Sequence, residues 1–132
     1  MIAIDTNVLL RAIVEDDPAQ TGLARQLLAA ISSSGEECYL SDAVLCELEW
    51  VLRSRFKRTR PEILASLQAV FELTTFVFDD RSAVSQAIKA FQATTLGFAD
   101  CLIVARAQAR GARTTYTFDR PLARQPGVTL LT

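Results

Sequence analysis

The chain has 132 residues, the size of a single domain. Hydrophobic residues make up 50% and charged residues 22%, which supplies one core and excludes a disordered chain. No apolar run approaches the roughly 20 residues that span a bilayer, and the first residues, MIAIDTN, lack the basic and apolar segments of a leader. We therefore expect one cytoplasmic domain over residues 1–132.

Charge and residue usage restrict the possible chemistry. Residues 1–49 hold nine acids and two bases, whereas residues 50–132 hold six acids and twelve bases. With no histidine, a His general base and a His-ligated metal are excluded. The three cysteines (Cys38, Cys46, Cys101) are too few and scattered for a disulfide framework, and we interpret them as small core residues. Catalysis would have to come from carboxylates, hydroxyls, Arg or Lys.

Apolar periodicity predicts alternating strands and helices. In chain order these are strand 2–5, helix 6–15, helix 18–31, strand 38–40, helix 42–56, helix 60–73, strand 75–78, helix 82–93, helix 97–110, strand 114–118, helical turn 121–124 and strand 128–131. Asp17 before Pro18 is an N-cap, Thr59 with Glu62 forms a capping box, and Gly111 ends a helix. Five strands separated by helices predict a parallel sheet with helices on both faces.

Two acids follow strands of this predicted sheet. Asp5 ends the first strand and Asp119 follows the fourth, so both lie at carboxyl ends, where such sheets bind ligands. Each could equally be the N-cap of the helix that follows.

Two further acids lie on helices. Glu47 borders the inward stripe predicted for its helix (Val44, Leu48, Val51, Leu52) and lacks the i+4 base that Glu49 has in Arg53. Asp100 is the only charge in an otherwise apolar stretch, residues 98–105, which predicts a buried helix. A buried carboxylate needs a partner, a proton or a cation. The alternative is a helix N3 carboxylate with Gly97 as N-cap.

Taken together, these four carboxylates predict a metal site. Converging carboxylates cannot all stay ionised without a cation. Oxygen ligands select Mg²⁺ or Mn²⁺ over zinc, and one or two such ions can orient a water molecule and stabilise phosphate charge during in-line displacement.

The same residues lie in four motifs that resemble those of PIN-domain nucleases. These are D-T-N-V-L-L-R from Asp5, E-L-E-W-V-L from Glu47, F-A-D-C-L-I around Asp100 and T-F-D-R around Asp119, in family order across nearly the whole chain. The short length and the second motif resemble a VapC-type toxin of a toxin–antitoxin pair.

The resemblance implies an α/β/α sandwich with strand order 3-2-1-4-5 and an Mg²⁺- or Mn²⁺-dependent endoribonuclease. By motif, Asp5 and Asp100 would be direct metal ligands, and Glu47 and Asp119 would bind through water or a second ion. The supporting residues would be Thr6, Asn7 and Thr117. Gly97 replaces an acid found in many relatives, which leaves open whether one metal or two bind. The implied partners are RNA, a VapB-type antitoxin and a second copy in a homodimer, without a membrane.

Two surfaces are candidates for partners. The basic segment, which consists of Arg53, Arg55, Lys57, Arg58 and Arg60, could guide RNA phosphates or could simply complement a helix C-terminus. Apolar positions on two helices (Leu45, Trp50, Phe56 and Leu64, Leu67, Phe71) could line an antitoxin groove or belong to the core.

Three other functions are alternatives to a nuclease. A phospho-accepting receiver domain would need paired acids after the first strand and a lysine after the last, and an aspartyl-phosphate hydrolase would need D-x-D in place of D-T-N. A non-catalytic interaction domain would bind no metal.

Overall fold

Helix capping in the computed structural model, which describes Met1–Thr132, follows the sequence closely. Helix α1 (Thr6–Ile13) begins after Asp5 and α2 (Pro18–Ser34) after Asp17, and each cap carboxylate accepts a backbone N–H. The capping box at Thr59 opens α4 (Arg60–Glu72) as predicted. Two further helices also start at a side-chain cap, α3 (Asp42–Ser54) after Ser41 and α5 (Arg81–Ala93) after Asp80.

The chain forms two compact units, Met1–Asp79 and Asp80–Thr132. The first unit contains α1 to α4 and a parallel sheet of β1 (Ile2–Ala3), β2 (Cys38–Leu40) and β3 (Phe76–Phe78), with β2 in the centre. The second unit contains α5, α6 (Phe98–Ala109), α7 (Arg120–Ala123) and a parallel pair of β4 (Thr115–Thr117) and β5 (Val128–Leu130). The predicted α/β class with parallel strands is confirmed.

One detail of the predicted topology is wrong. The neighbours 3-2-1 and 4-5 are present, but as two separate sheets and not as one five-stranded sheet. The first strand is only two residues long, because the chain leaves the ladder after Ala3 and turns into the cap of α1. A strand this short forms its whole ladder with β2.

Each unit has its own apolar core. In the first, α1, α3 and α4 pack together through buried leucines such as Leu10, Leu48 and Leu67. In the second, α5 packs on α6, and Phe91 meets Phe98 edge to face at a centroid distance of 6.1 Å. No helix is long and apolar enough to cross a membrane.

The cysteines belong to these cores, as predicted. Cys38 and Cys101 are buried, Cys46 is half-buried, and none of the three forms a disulfide. Burial, with a smaller contribution from the neighbouring acids, raises the pKa of Cys46 to about 11. Cys46 is therefore protonated at neutral pH and is not a nucleophile.

Candidate functional site

Asp5 is both a helix cap and an exposed carboxylate. Its Oδ1 accepts a hydrogen bond from the Val8 N–H at 3.1 Å, which satisfies one free donor at the start of α1. Its Oδ2 has no protein donor. The capping interpretation is therefore correct, but it uses only one of the two oxygens and leaves the other available to a cation.

A cavity of about 320 Å³ opens between α1 and α2 beside this carboxylate, lined by Asp5, Asn7, Val8, Arg11, Gln20, Leu23, Ala24 and Leu27. Arg11 donates one hydrogen bond to Gln20 Oε1 at 2.8 Å and forms an ion pair with Asp16. The hydrogen bond between Arg11 and Asp16 raises the pKa of Arg11. Because the guanidinium is committed to these partners, it leaves the Asp5 charge uncompensated. Of the predicted supporting residues in this motif, Asn7 lines the cavity and Thr6 is buried at the start of the helix.

The two glutamates of α3 keep the pairing that the sequence predicted, because Glu49 pairs with Arg53 and Glu47 has no partner, but their burial differs from the prediction. The buried face of α3 consists of Leu45, Leu48, Glu49 and Leu52, so Glu49 is the inward acid, with 3% of its surface exposed. Its Oε1 accepts from Arg53 Nε at 3.4 Å. Glu47 lies on the exposed side of the helix, with no hydrogen bond or ion pair. The predicted stripe through Val44 and Val51 is wrong, and the free carboxylate of Glu47 is more accessible than expected.

Asp100 is less buried than predicted. It lies in the first turn of α6, where Gly97 is the N-cap and contributes no side-chain bond, so its placement as the N3 residue is correct. The helix is not buried all round, because Ala99 is exposed and Ile103 keeps 57% of its surface. Asp100 is half-buried and makes no hydrogen bond or ion pair. Desolvation alone therefore does not require a cation, but the carboxylate is free to bind one.

Asp119 is an exposed carboxylate at the turn after β4. It precedes α7 but its side chain forms no capping bond, so the capping alternative is wrong for the carboxylate. Instead its backbone N–H donates to Thr117 Oγ1 at 3.0 Å. Thr117 thereby holds the turn that carries Asp119, and its supporting role at a metal site stays a prediction.

The four acids divide between the two units. Asp5 and Glu47 belong to the first unit, and Asp100 and Asp119 belong to the second. Neither unit by itself gathers three or more acidic or cysteine side chains in a group that could hold a metal. The donor chemistry nevertheless suits a hard cation, because all four side chains offer carboxylate oxygens without a protein partner.

The basic segment is partly committed to neighbours within the first unit. Arg53 pairs with Glu49 at 3.4 Å, Arg58 pairs with Glu62 at 3.6 Å, and the Arg55 guanidinium lies 5.3 Å from the centroid of the Phe56 ring. Lys57 has no partner and adopts a left-handed backbone, with φ of 53°. The predicted RNA contact of this segment stays a prediction, with Lys57 as its freest cation.

The predicted groove positions divide between the core and the surface. Leu45 and Leu67 are each 2% exposed, and Phe71 stacks on Phe78 with a centroid distance of 5.8 Å. Trp50 alone among the six is strongly exposed. Sequence reasoning missed a larger apolar cavity of about 450 Å³, whose walls come from α1, α2 and α4, with Ile13, Leu28 and Ala69 among the lining residues.

Comparison with known proteins shows the family to which the chain belongs. The sequence profile described as "PIN domain" matches residues 2–128, and the chain therefore belongs to the PIN domain family. More particularly, the chain is similar to a VapC ribonuclease of Aquifex aeolicus (strain VF5), with 26% identity over 121 residues. That alignment covers 91% of this chain and 88% of the relative.

Proposed function

We propose that this protein is a divalent-metal-dependent endoribonuclease that acts as the toxin of a toxin–antitoxin pair, with residues 1–132 as one nuclease domain. The observation that carries the proposal is chemical. In a chain without histidine, each of the four PIN-motif acids keeps at least one carboxylate oxygen free of protein donors. Family membership and the similarity to a VapC ribonuclease support the same conclusion.

Asp5 and Asp100 are assigned as direct ligands of Mg²⁺ or Mn²⁺, and Glu47 and Asp119 as ligands through water or of a second ion. When bound, such an ion lowers the pKa of a water nucleophile and stabilises charge on the phosphate. The protein's own contribution is positional. The bond from Val8 N–H holds one oxygen of Asp5, and the Thr117 hydroxyl holds the Asp119 backbone.

The proposed partners follow from the same chemistry. RNA is the substrate, and a VapB-type antitoxin and a second copy of the chain are the proposed protein partners. An antitoxin that places an arginine among the motif acids would compete with the metal, since both bind carboxylate oxygens. The apolar cavity between α1, α2 and α4 is a surface that such a peptide could cover. The cytoplasmic location stays a prediction.

Substitution of Asp100 by Asn tests the proposal. Asp100→Asn keeps the size of the side chain and removes ligand charge, so we expect RNA cleavage and toxicity to be lost while thermal stability without metal is unchanged or slightly raised. Glu72→Gln is the matched control, because Glu72 is an exposed acid outside the motifs. Cleavage is measured on RNA with saturating Mn²⁺, and the product ends are identified.

Hydrolysis by activated water leaves 5′-phosphate and 3′-hydroxyl ends. Full activity of Asp100→Asn would refute its assignment as a ligand, and a 2′,3′-cyclic phosphate product would refute the mechanism. The alternative, a non-catalytic interaction domain, predicts no cleavage and no change in the wild-type melting temperature on addition of Mn²⁺.

A further inference from the structure

The two-stranded sheet of the second unit carries an exposed aromatic face. Tyr116 lies in β4 and Phe118 is the first residue after it, and 57% and 79% of their surfaces are exposed. Thr129 is the register partner of Tyr116, and Leu131 is the first residue after β5, just as Phe118 is the first after β4. Continuing the alternation and the register by one residue would put Phe118 on the side of Tyr116 and beside Leu131. We call these four residues the aromatic face.

The aromatic face takes no part in the core. The core aromatics of this unit are Phe91 and Phe98, both about 1% exposed or less. Burying a phenylalanine side chain stabilises a folded protein, and Phe118, just after β4, lacks most of that stabilisation. A single exposed apolar side chain is ordinary, but here two aromatic side chains and Leu131 are all exposed within the ends of one strand pair.

Unpaired positive charge surrounds this surface along the chain. Residues 110–124 contain four arginines (Arg110, Arg113, Arg120, Arg124) and a single acid, Asp119. All four arginines are exposed, and none of their guanidinium groups forms a hydrogen bond or an ion pair. By contrast, Arg106 on α6 is held by Asp80 at 3.5 Å. The combination of stacking rings and free guanidinium groups is the one that binds single-stranded nucleic acid, because rings stack on bases and cations bind phosphates.

We propose that Tyr116 and Phe118 stack unpaired bases of the RNA substrate while the four arginines bind its backbone. This inference rests on the proposed nuclease function and names the side chains that would hold unpaired bases. Phe118 directly precedes the motif acid Asp119 in the chain.

A second copy of the chain is the competing occupant of the aromatic face. In a twofold contact through this face, the same surface of each copy meets the other, so the two sets of unpaired arginines would be brought together. Like charges in an interface oppose association. RNA phosphates compensate those arginines, and charge complementarity therefore favours RNA.

The test measures RNA binding in the non-cleaving Asp100→Asn background. The ligands are a short oligouridylate and an abasic strand with the same backbone. Phe118→Ala should weaken oligouridylate binding by about five- to 150-fold, the usual range for loss of one stacked base, and leave abasic-strand binding unchanged. Leu73→Ala is the matched control, because Leu73 is also exposed, at 53%, but lies in the first unit away from these arginines. It should change neither affinity.

Tryptophan fluorescence distinguishes base stacking from a purely structural role of Phe118. Trp50 is the only tryptophan, so Trp50→Phe combined with Phe118→Trp places the sole indole on the aromatic face. Its emission should be quenched by oligouridylate and not by the abasic strand, with affinity retained. Equal weakening of both strands by Phe118→Ala, or the absence of selective quenching, would overturn the proposal.

The remaining outcomes separate this inference from the nuclease assignment. If Phe118→Ala converts a dimer into a monomer in sedimentation while base selectivity is unchanged, the face joins two copies and the stacking proposal is wrong. If the wild type cleaves RNA but shows no preference for strands with bases, only stacking fails. If the wild type binds with selective loss in Phe118→Ala but never cleaves, stacking stands and the nuclease proposal fails.

Discussion

Asp5 carries two roles that substitution can separate. Its Oδ1 caps α1 through the Val8 N–H at 3.1 Å, and the proposed metal ligation uses its charge. Asparagine is as good an N-cap as aspartate, whereas alanine costs about 1 kcal/mol at such a position. Asp5→Ala should therefore lower the free energy of unfolding by about 1 kcal/mol without metal, and Asp5→Asn by only a few tenths.

Asp17 provides the matched control for this experiment. It caps α2 in the same way, accepting from the Gln20 N–H at 3.2 Å, but belongs to no motif. Asp17→Ala and Asp17→Asn should reproduce the two stability changes of the Asp5 variants, including the small loss of favourable charge at a helix N-terminus. Comparing the pairs isolates what is specific to Asp5.

Metal addition then distinguishes the two aspartates. At a free Mn²⁺ concentration one hundred times Kd, a single site stabilises the folded protein by about 2.7 kcal/mol. The wild type and both Asp17 variants should show this gain in urea unfolding and should cleave RNA. Both Asp5 variants should show neither. A full Mn²⁺ gain in Asp5→Asn would refute ligation by Asp5, and an unchanged stability of Asp5→Ala would refute its role as a cap.

Three further predictions follow from the structure. Glu49→Leu replaces a buried acid among leucines, so the free energy of unfolding should be unchanged or higher. Arg53→Met leaves the buried Glu49 without its ion-pair partner, so the free energy of unfolding, measured by urea titration, should fall by about 1–3 kcal/mol. A hydrogen bond from the Thr59 backbone N–H lowers the pKa of Glu62. The ionised Glu62 therefore stabilises the folded protein above pH 4.5, and this stabilisation is lost as the pH falls and the carboxylate is protonated. The melting temperatures of the wild type and Glu62→Gln should therefore converge in acid. Lys57→Gln should reduce the slope of log K against log salt by about 0.7 for single-stranded RNA, and Arg53→Gln by less because that cation is paired; an equal effect of both would contradict the pairing.

Local signals in the sequence were sufficient for most elements. The caps at Asp17 and Thr59 and the helix end at Gly111, with φ of 85°, are where the sequence places them. The strand 38–40 has the predicted bounds, and the other strands differ at their ends by one or two residues. These features depend on residues within about four positions of each other, so the sequence alone encodes them.

Tertiary packing decided which faces are buried. In α3, Leu45 and Val44 are both apolar, so two overlapping stripes fit the helical period, and only packing against α1 and α4 selects the one that contains Glu49. In α6, apolar composition predicted burial on every side, but Ile103 has no neighbour to cover it.

At the candidate site, too, some properties follow from the sequence alone and others only from tertiary packing. The sequence by itself determined that the site residues are acids without histidine, that four of them follow the PIN motif order, and that Asp5 and Asp119 follow strands. Only the tertiary structure decided that Glu47 is exposed, that Asp100 is half-buried, and that Tyr116 and Phe118 are left exposed. Residue type and short-range geometry are local properties, whereas exposure depends on which distant segments pack nearby.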